Sequence, residues 1–401
     1  MRGVAVSGLG VLTSIGADLK TFWGNLVEPA PTFGPPSACP QVRVPVAEIG
    51  STDFITGSVL PKPALCDRSA LVAVAAAKSA LDDAGLAPGS VAPDRVAVII
   101  GSGAAGVSTI EEQYDLLYRQ RRPRVSPLTV PKMMSSSPAS WIAIAFGFQG
   151  PAFVVASACA SATHAIGIAA QLVESGAVDV AVCGGTEAYL AEGPLRSWEA
   201  LGVLAKDTCR PFSANRAGLV LAEGAGMLVL ESVAHARARG FVPRAEVLGA
   251  GWSADAGHLT RPAATGMAAA MRKALAAAEL APGEVDYINA HGTGTPANDP
   301  TETVALKDVF GEVPLMSSTK GTTGHALGAS GGIEAVAALL AVEHGVVPPT
   351  ANYEAPDPEC DLDCVPNVAR EHPVRTVMSN SFAFGGLNAS VLFQITGKGD
   401  R

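Results

Sequence analysis

An α/β fold made of two similar halves is what this sequence predicts, on three observations. Valine-rich segments at 4–7, 95–100, 153–156, 178–183 and 226–230 alternate with alanine-rich helical stretches through about residue 240. A second series of such segments follows at 245–250, 285–290, 314–318, 375–379 and 389–394. Strands that alternate with helices imply parallel sheets sandwiched between helices. Third, Ser157–Gly167 aligns without gaps on Ser318–Gly328, with identities at Ser157/Ser318, His164/His325, Ala165/Ala326 and Gly167/Gly328. That match sets Cys159 opposite Lys320 and gives His325 the helical position of His164. The chain is accordingly divided at 1–240 and 241–401, one half offering a thiol and the other a cation and histidines.

Each element follows from local pattern. The start MRGVAVSG reads as a strand and lacks the marks of a secretory signal. Phe153–Ala156 is a short apolar run with adjacent valines, expected as a buried strand. Beyond it Ser161, Ala162, Ala165, Ile166, Ala169, Ala170 and Val173 recur at helical spacing, small enough for the helix to sit close to other backbone. The apolar stretch 152–173 contains Ser157, Ser161, Thr163 and His164, so it reads as strand and helix and not as a membrane span. Seven cysteines, an odd number without a CxxC pair, argue against a disulfide framework and for a reducing cytoplasm. A formal charge of −9 disfavours a nucleic-acid partner. With 401 residues, 48% of them hydrophobic, the chain is expected to be soluble and cytoplasmic.

Cys159 carries the chemistry. It falls between the strand and the small-residue helix, where unpaired N–H groups and the helix dipole favour a thiolate. The same N–H groups can receive the oxyanion of an acyl carbonyl. The plainer alternative is a buried core cysteine, which is the reading given to Cys183 in the run 179–184. His291 follows an apolar strand, Tyr287–Ala290, and enters a Gly/Thr-rich loop, a setting where catalytic groups concentrate. His325 follows Thr322-Thr323-Gly324, whereas His164 reads as a core histidine. No third ligand or recognisable spacing accompanies His291 and His325, so no metal site is expected.

Several further segments, in this order and spacing, complete the pattern: Gly101–Gly103, Val125–Pro127, Gly184–Ala188, Cys209–Phe212, Glu223–Glu231, Pro348–Thr350, Pro356–Asp363 and Asn380–Gly386. Together they resemble the β-ketoacyl-acyl-carrier-protein synthases of the thiolase superfamily, nearest the synthase II type, from Val4 to about Phe393. The resemblance implies a thiolase-like fold, a duplicated five-layered α-β-α-β-α sandwich. It implies an acyl chain carried on Cys159 and a decarboxylative condensation with a malonyl unit, both delivered by an acyl-carrier protein. On it, His291 and His325 stabilise the enolate, and Lys320 and Glu334 are the paired charges behind them. The N–H groups of Cys159 and Phe384 form the oxyanion hole, with Phe384 also the gate. Thr293 and Thr295 contact the phosphopantetheine arm, Ala104 borders the acyl pocket, and His258 belongs to a second gating segment. No metal or redox cofactor is implied.

The sequence departs from the family at two places. Ala383 replaces the first glycine of the usual Gly-Phe-Gly-Gly gate, removing backbone freedom. Gly257 replaces a bulky residue, and small Ala104 implies a deep acyl pocket. Docking an acidic carrier onto an acidic chain requires a local basic patch, and Lys62, Arg68, Arg122, Arg124 and Lys206 are the candidates. The family's dimerisation implies a homodimer, or a heterodimer with a chain-length-factor-like subunit. Three other readings stay open: a thiolase, a repurposed acyltransferase or cyclase, and a non-catalytic partner subunit. The intact Cys159 speaks against the last, and the missing cysteine in the late Gly-Gly loop speaks against the first.

Overall fold

The computed structural model describes residues 3–50, 60, 63–87 and 89–395. All ten valine-rich segments form strands of a single sheet. These are β1 (Val4–Thr13), β2 (Val96–Gly101), β3 (Ala152–Val155), β4 (Val180–Glu187), β5 (Gly224–Ser232), β6 (Ala245–Ala254), β7 (Tyr287–Asn289), β8 (Leu315–Ser317), β9 (Thr376–Ala383) and β10 (Leu387–Ile395). From the centre outward the first half runs β1-β5-β4-β2-β3 and the second β6-β10-β9-β7-β8. The second order is the first with every index raised by five, a repeat of topology that the short sequence match only hinted at. The halves join where Val4–Val6 pairs with Ala245–Val247.

The sheet is mixed, which corrects the expectation of parallel sheets. Only β2 with β3 and β4, and β7 with β8 and β9, run parallel. The remaining neighbours are antiparallel. Connection length explains part of this: Phe384–Gly386, the whole link between β9 and β10, suits a hairpin and is far too short for a crossover helix.

Helices fill three layers, one outside each half of the sheet and one between the two halves. Helices α1 (Arg68–Asp83) and α3 (Ser137–Phe146) cover the outer face of the first half, with α2 (Val107–Tyr118) between them in sequence. Helix α6 (Ala264–Ala278), backed by α7 (Asn298–Phe310), covers the second half. Between the halves lie α4 (Ser161–Glu174) and α8 (Ser330–His344), which touch each other and strands of both halves. The result is the five-layered sandwich implied by the resemblance. From Ser330 to Val342 every residue of α8 is buried, and that explains its composition of Ala, Gly and aliphatic side chains. Helix α4 sits as deep as its small residues allow, since a Cβ on Gly101 would fall 2.2 Å from the Ala162 nitrogen. Helix α5 (Glu192–Leu201) follows β4. No helix among the described residues is long and apolar enough to cross a membrane.

Two local expectations are overturned. Strand β3 is not buried: it forms the sheet's outer edge, and Phe153 is 39% exposed. Ala152 and Phe153 are exposed at this edge, while Val154 and Val155 are partly buried and pack against the core. Second, His325 is not helical. A single turn, Lys320–Thr323, stops at Gly324 (φ +71°), and α8 begins only at Ser330. Between them His325 is clipped to the first half, its N–H donating to the Val220 carbonyl (2.7 Å) and its carbonyl accepting from Ala222 (3.0 Å). By topology α8 is the counterpart of α4, so the gapless match of 157–167 to 318–328 is not a structural equivalence.

Candidate active site

Cys159 stands at a tight elbow between β3 and α4. Ala158 takes a left-handed conformation (φ +49°), costing on the order of 1 kcal/mol. The Ser161 hydroxyl locks the turn, accepting from the Ser157 N–H (2.9 Å) and donating to the Ala158 carbonyl (2.6 Å). Cys159 is 7% exposed, and the backbone N–H groups of Phe384 and of Cys159 itself both lie against its sulfur. Burial pushes the thiol up to about 12, against a smaller downward pull from Lys320. The expectation of a resting thiolate is thus corrected: at this depth desolvation outweighs the helix terminus.

The second half delivers both histidines to that sulfur. His325 Nε2 is 3.2 Å from Cys159 Sγ, and its Nδ1 is 2.8 Å from the Ser330 hydroxyl at the start of α8. The His291 ring meets that of His325 edge-on, with centroids 5.4 Å apart. Glu302 of α7 fixes the His291 loop by accepting from the His291 and Gly292 amides, each at 2.8 Å. Lys320, fully buried, donates to the His291 carbonyl (2.6 Å) and to the Glu334 carboxylate. Its ammonium also lies 3.5 Å from His291 Nδ1, which leaves that ring's proton on Nε2.

Burial, with help from the Lys320 charge, holds both imidazoles well below the ordinary histidine range, and for His291 the neighbouring His325 contributes as well. Below about pH 6.5 the unfolded chain therefore binds protons that the native state refuses. Stability is complete above that pH and is lost as pH falls, by about 1.4 kcal/mol per unit for each histidine. Buried Glu302 and Glu334, both raised to about 7, titrate with the opposite sign over the same range, so the histidine slope is read from the difference between wild type and His291→Gln in urea unfolding between pH 7 and 5. That difference should amount to one proton, and an unchanged slope would contradict this assignment.

Two cavities meet at Cys159. The first is a narrow channel of about 50 Å³ that opens to the surface between Leu259–Pro262 and Thr295–Asn298. Thr293 and Thr295, whose hydroxyls pair at 2.9 Å, line it together with both histidines. The second is a slot of about 150 Å³ bounded by Gly103, Ala104, Ala158, Tyr189 and Leu327. Cys159, Trp198 and Phe384 line both. Ala383 lies in ordinary extended backbone (φ −105°, ψ 157°), so losing that glycine costs nothing in this state. The left-handed positions of the gate are Gly385 and Gly386.

Other expected residues are placed differently. His258 does not line the channel: it is exposed, and its Nδ1 caps a turn by accepting from the Thr260 and Arg261 amides. Arg68 turns inward, where its guanidinium pairs with buried Glu223 (2.7 Å from Nε) and the Ile49 carbonyl (2.9 Å). That neutralises the charge a docking surface would need. Arg122, Arg124 and Lys206 are exposed, and Lys62 lies outside the described residues. Rejecting a metal for want of a third ligand also fails, because the fold supplies one: Cys159, His291 and His325 place donor atoms within 4.8 Å of one another. Such a thiol-imidazole set is of zinc type, but the buried Lys320 cation beside His291 opposes a dication there.

Sequence reasoning passed over Glu187, Trp198 and Glu302. Buried Glu187 accepts from Gly103 N (2.7 Å), Ala104 N (3.1 Å), Gly328 N (3.0 Å) and the Ser102 hydroxyl (3.1 Å), tying slot-wall loops from both halves to β4. An acid ending an otherwise apolar strand was the available signal for Glu187. Trp198 had none.

Comparison with known proteins agrees with this geometry. Family models described as "Beta-ketoacyl synthase, N-terminal domain" and "Beta-ketoacyl synthase, C-terminal domain" match residues 1–236 and 244–354. The chain is similar to "Nodulation protein E" of Rhizobium leguminosarum bv. trifolii, 44% identical over 403 residues that cover 98% of this chain and 99% of that protein. It is 40% identical over 411 residues to "3-oxoacyl-[acyl-carrier-protein] synthase 2" of Synechocystis sp., covering 98% of each. The solved structure "The ishigamide ketosynthase/chain length factor" superposes with a TM-score of 0.95 at 35% identity, covering 99% of this chain and 100% of that one. With both halves matched and relatives aligned from end to end, the chain belongs to the β-ketoacyl synthase family.

Proposed function

We propose that this chain is a β-ketoacyl-acyl-carrier-protein synthase performing decarboxylative condensation in fatty-acid or polyketide assembly. The observation that carries the reading is His325 Nε2 at 3.2 Å from Cys159 Sγ, with neutral His291 edge-on beside it. In the loading step Sγ attacks the carbonyl of an acyl thioester on a carrier's phosphopantetheine arm, and its proton passes to His325 Nε2. The oxyanion faces the N–H groups of Cys159 and Phe384, and the departing arm thiolate takes the proton. In the condensing step the bond between the malonyl carboxylate and Cα breaks, CO2 leaves, and the electron pair forms an enolate. His291 and His325 donate to that enolate oxygen through Nε2–H. Cα then attacks the Cys159 thioester and releases its thiolate and a β-ketoacyl chain two carbons longer. Ser330, able to donate or accept at His325 Nδ1, serves both tautomers this cycle needs.

No metal or redox group is required, since loss of CO2 drives the reaction. Lys320 and Glu334 hold the histidines, Thr293 and Thr295 receive the arm, and exposed Arg122, Arg124 and Lys206 are the docking cations proposed for the carrier. The open edge of β3 is the surface through which a homodimer, or a heterodimer with a chain-length-factor-like subunit, would continue the sheet. A reducing cytoplasm suits seven unpaired, buried thiols.

Mass spectrometry tests the reading. Incubation with malonyl-carrier and acyl-carrier proteins should give a carrier-bound β-ketoacyl chain extended by two carbons. Loading of Cys159 without extension would sink the condensation and leave an acyltransferase. Ala104 supplies a further prediction, because isoleucine there would fill much of the slot. Ala104→Ile is expected to cut the loading of twelve-carbon relative to six-carbon acyl groups by about tenfold. An unchanged ratio would place the acyl chain elsewhere.

A further inference from the structure

The channel and the slot share three residues, Cys159, Trp198 and Phe384. A thioester at the sulfur with its acyl tail in the slot has to cross the wall these residues form. That wall is a pair of stacked rings: Trp198 and Phe384 lie with centroids 5.9 Å apart and planes inclined by 18°. The two rings are held very differently. Trp198 stands on α5, whose first amides, Glu192 N and Gly193 N, donate to the Glu111 carboxylate of α2 at 2.7 and 2.6 Å. Leu195 of the same helix is fully buried. Phe384 instead precedes Gly385 and Gly386, both left-handed, on a three-residue link. Of the two rings, Phe384 is therefore the one able to leave.

We propose that Trp198 is a positioning residue for acyl loading: it holds Phe384 in the wall between channel and slot, and the incoming acyl group takes Phe384 out of that stack. The proposal rests on Cys159 being the acylated residue. In that step the donor's C–S bond breaks, the C–S bond to Cys159 forms, and the proton of Sγ leaves with the pantetheine thiol. Trp198 contributes no group to this bond exchange. It acts by favouring the closed position of Phe384, so donors load only if their tails can replace the stacked ring.

The test uses the full chain labelled with 5-fluorotryptophan and the thioester octanoyl-pantetheine as the acyl donor. Four tryptophans give four fluorine resonances, and Trp198→Phe assigns the relevant one. Acylation of Cys159, followed by mass, is expected to shift the Trp198 resonance in the wild type. In Phe384→Ala that resonance should start displaced and move little. Trp198→Ala is expected to load about fivefold faster, the worth of one stacked pair, and Trp198→Phe within about twofold of wild type. An acylated Cys159 with an unmoved Trp198 resonance and unchanged Trp198→Ala rate overturns the proposal and leaves the nucleophile intact. No adduct on Cys159 overturns the acyl-thioester reading itself.

Discussion

Cys159→Ala is expected to lower condensation by at least about 10⁴-fold while leaving fold and carrier binding in place. The thiol is a small part of the core, but the loading step depends on it, since no other described cysteine lines either cavity. The variant should be informative for what it keeps. His291 and His325 still face the channel, with Lys320 behind His291. Malonyl-carrier protein should therefore still lose CO2 in the variant, the enolate taking a proton from solvent to give acetyl-carrier protein. Product mass separates the two steps: acetyl-carrier without extension is expected. Extension that persists in Cys159→Ala would remove Cys159 as the nucleophile. Loss of both activities would mean that the sulfur also shapes the enolate site.

Lys320→Met is expected to be the most destabilising single change at the site. The Lys320 side chain is wholly buried and that of Glu334 is 2% exposed, so neither charge is relieved by solvent. Glu334 Oε2 already lacks a partner among the described residues, and removing Lys320 would orphan the other oxygen as well. Breaking such a pair from one side costs about 3–5 kcal/mol. The deficit should depend on pH with a definite sign. Burial raises the Glu334 carboxyl above its ordinary value and Lys320 pulls it back, so without Lys320 it rises further. A group whose native pKa is raised contributes most below its unfolded pKa and loses that contribution as pH climbs through the native value. The difference between Lys320→Met and wild type in urea unfolding should thus be smaller at pH 5.5 than at pH 8. Lys320→Met with Glu334→Gln should recover part of the stability and little of the activity, since the ammonium that orients His291 is still missing. A single variant as stable as wild type at pH 8 would show that the pair is not coupled as the distances indicate.

Much of this was legible before any coordinates. All ten strands lie where the apolar runs predicted them: most are covered on both faces and so are apolar along their length, whereas β3 was legible by its pattern although it is not buried. Cys159 was legible because an elbow between an apolar strand and a helix of small residues is a local pattern. His291 was readable for a similar reason, as the residue where an apolar strand gives way to glycine and threonine.

Long-range pairing was not legible. Arg68 looked like a free surface cation, and only the fold brings it to Glu223, 155 residues away. His325 looked helical because its neighbours repeat those of His164, whereas its backbone is claimed by Val220 and Ala222. The thiolate expected at a helix terminus gave way to desolvation, a property of depth that local sequence does not encode. Likewise, spacing showed two histidines without a third donor, and folding supplied the cysteine from the opposite half. By itself the sequence determined the elements and pointed to the candidate reacting groups, since these follow from hydrophobic pattern and residue chemistry over a few turns of chain. Tertiary structure decided which charges are spent internally, which thiol is protonated and which rings face each other, because burial and contact arise only when distant segments share one low-dielectric interior.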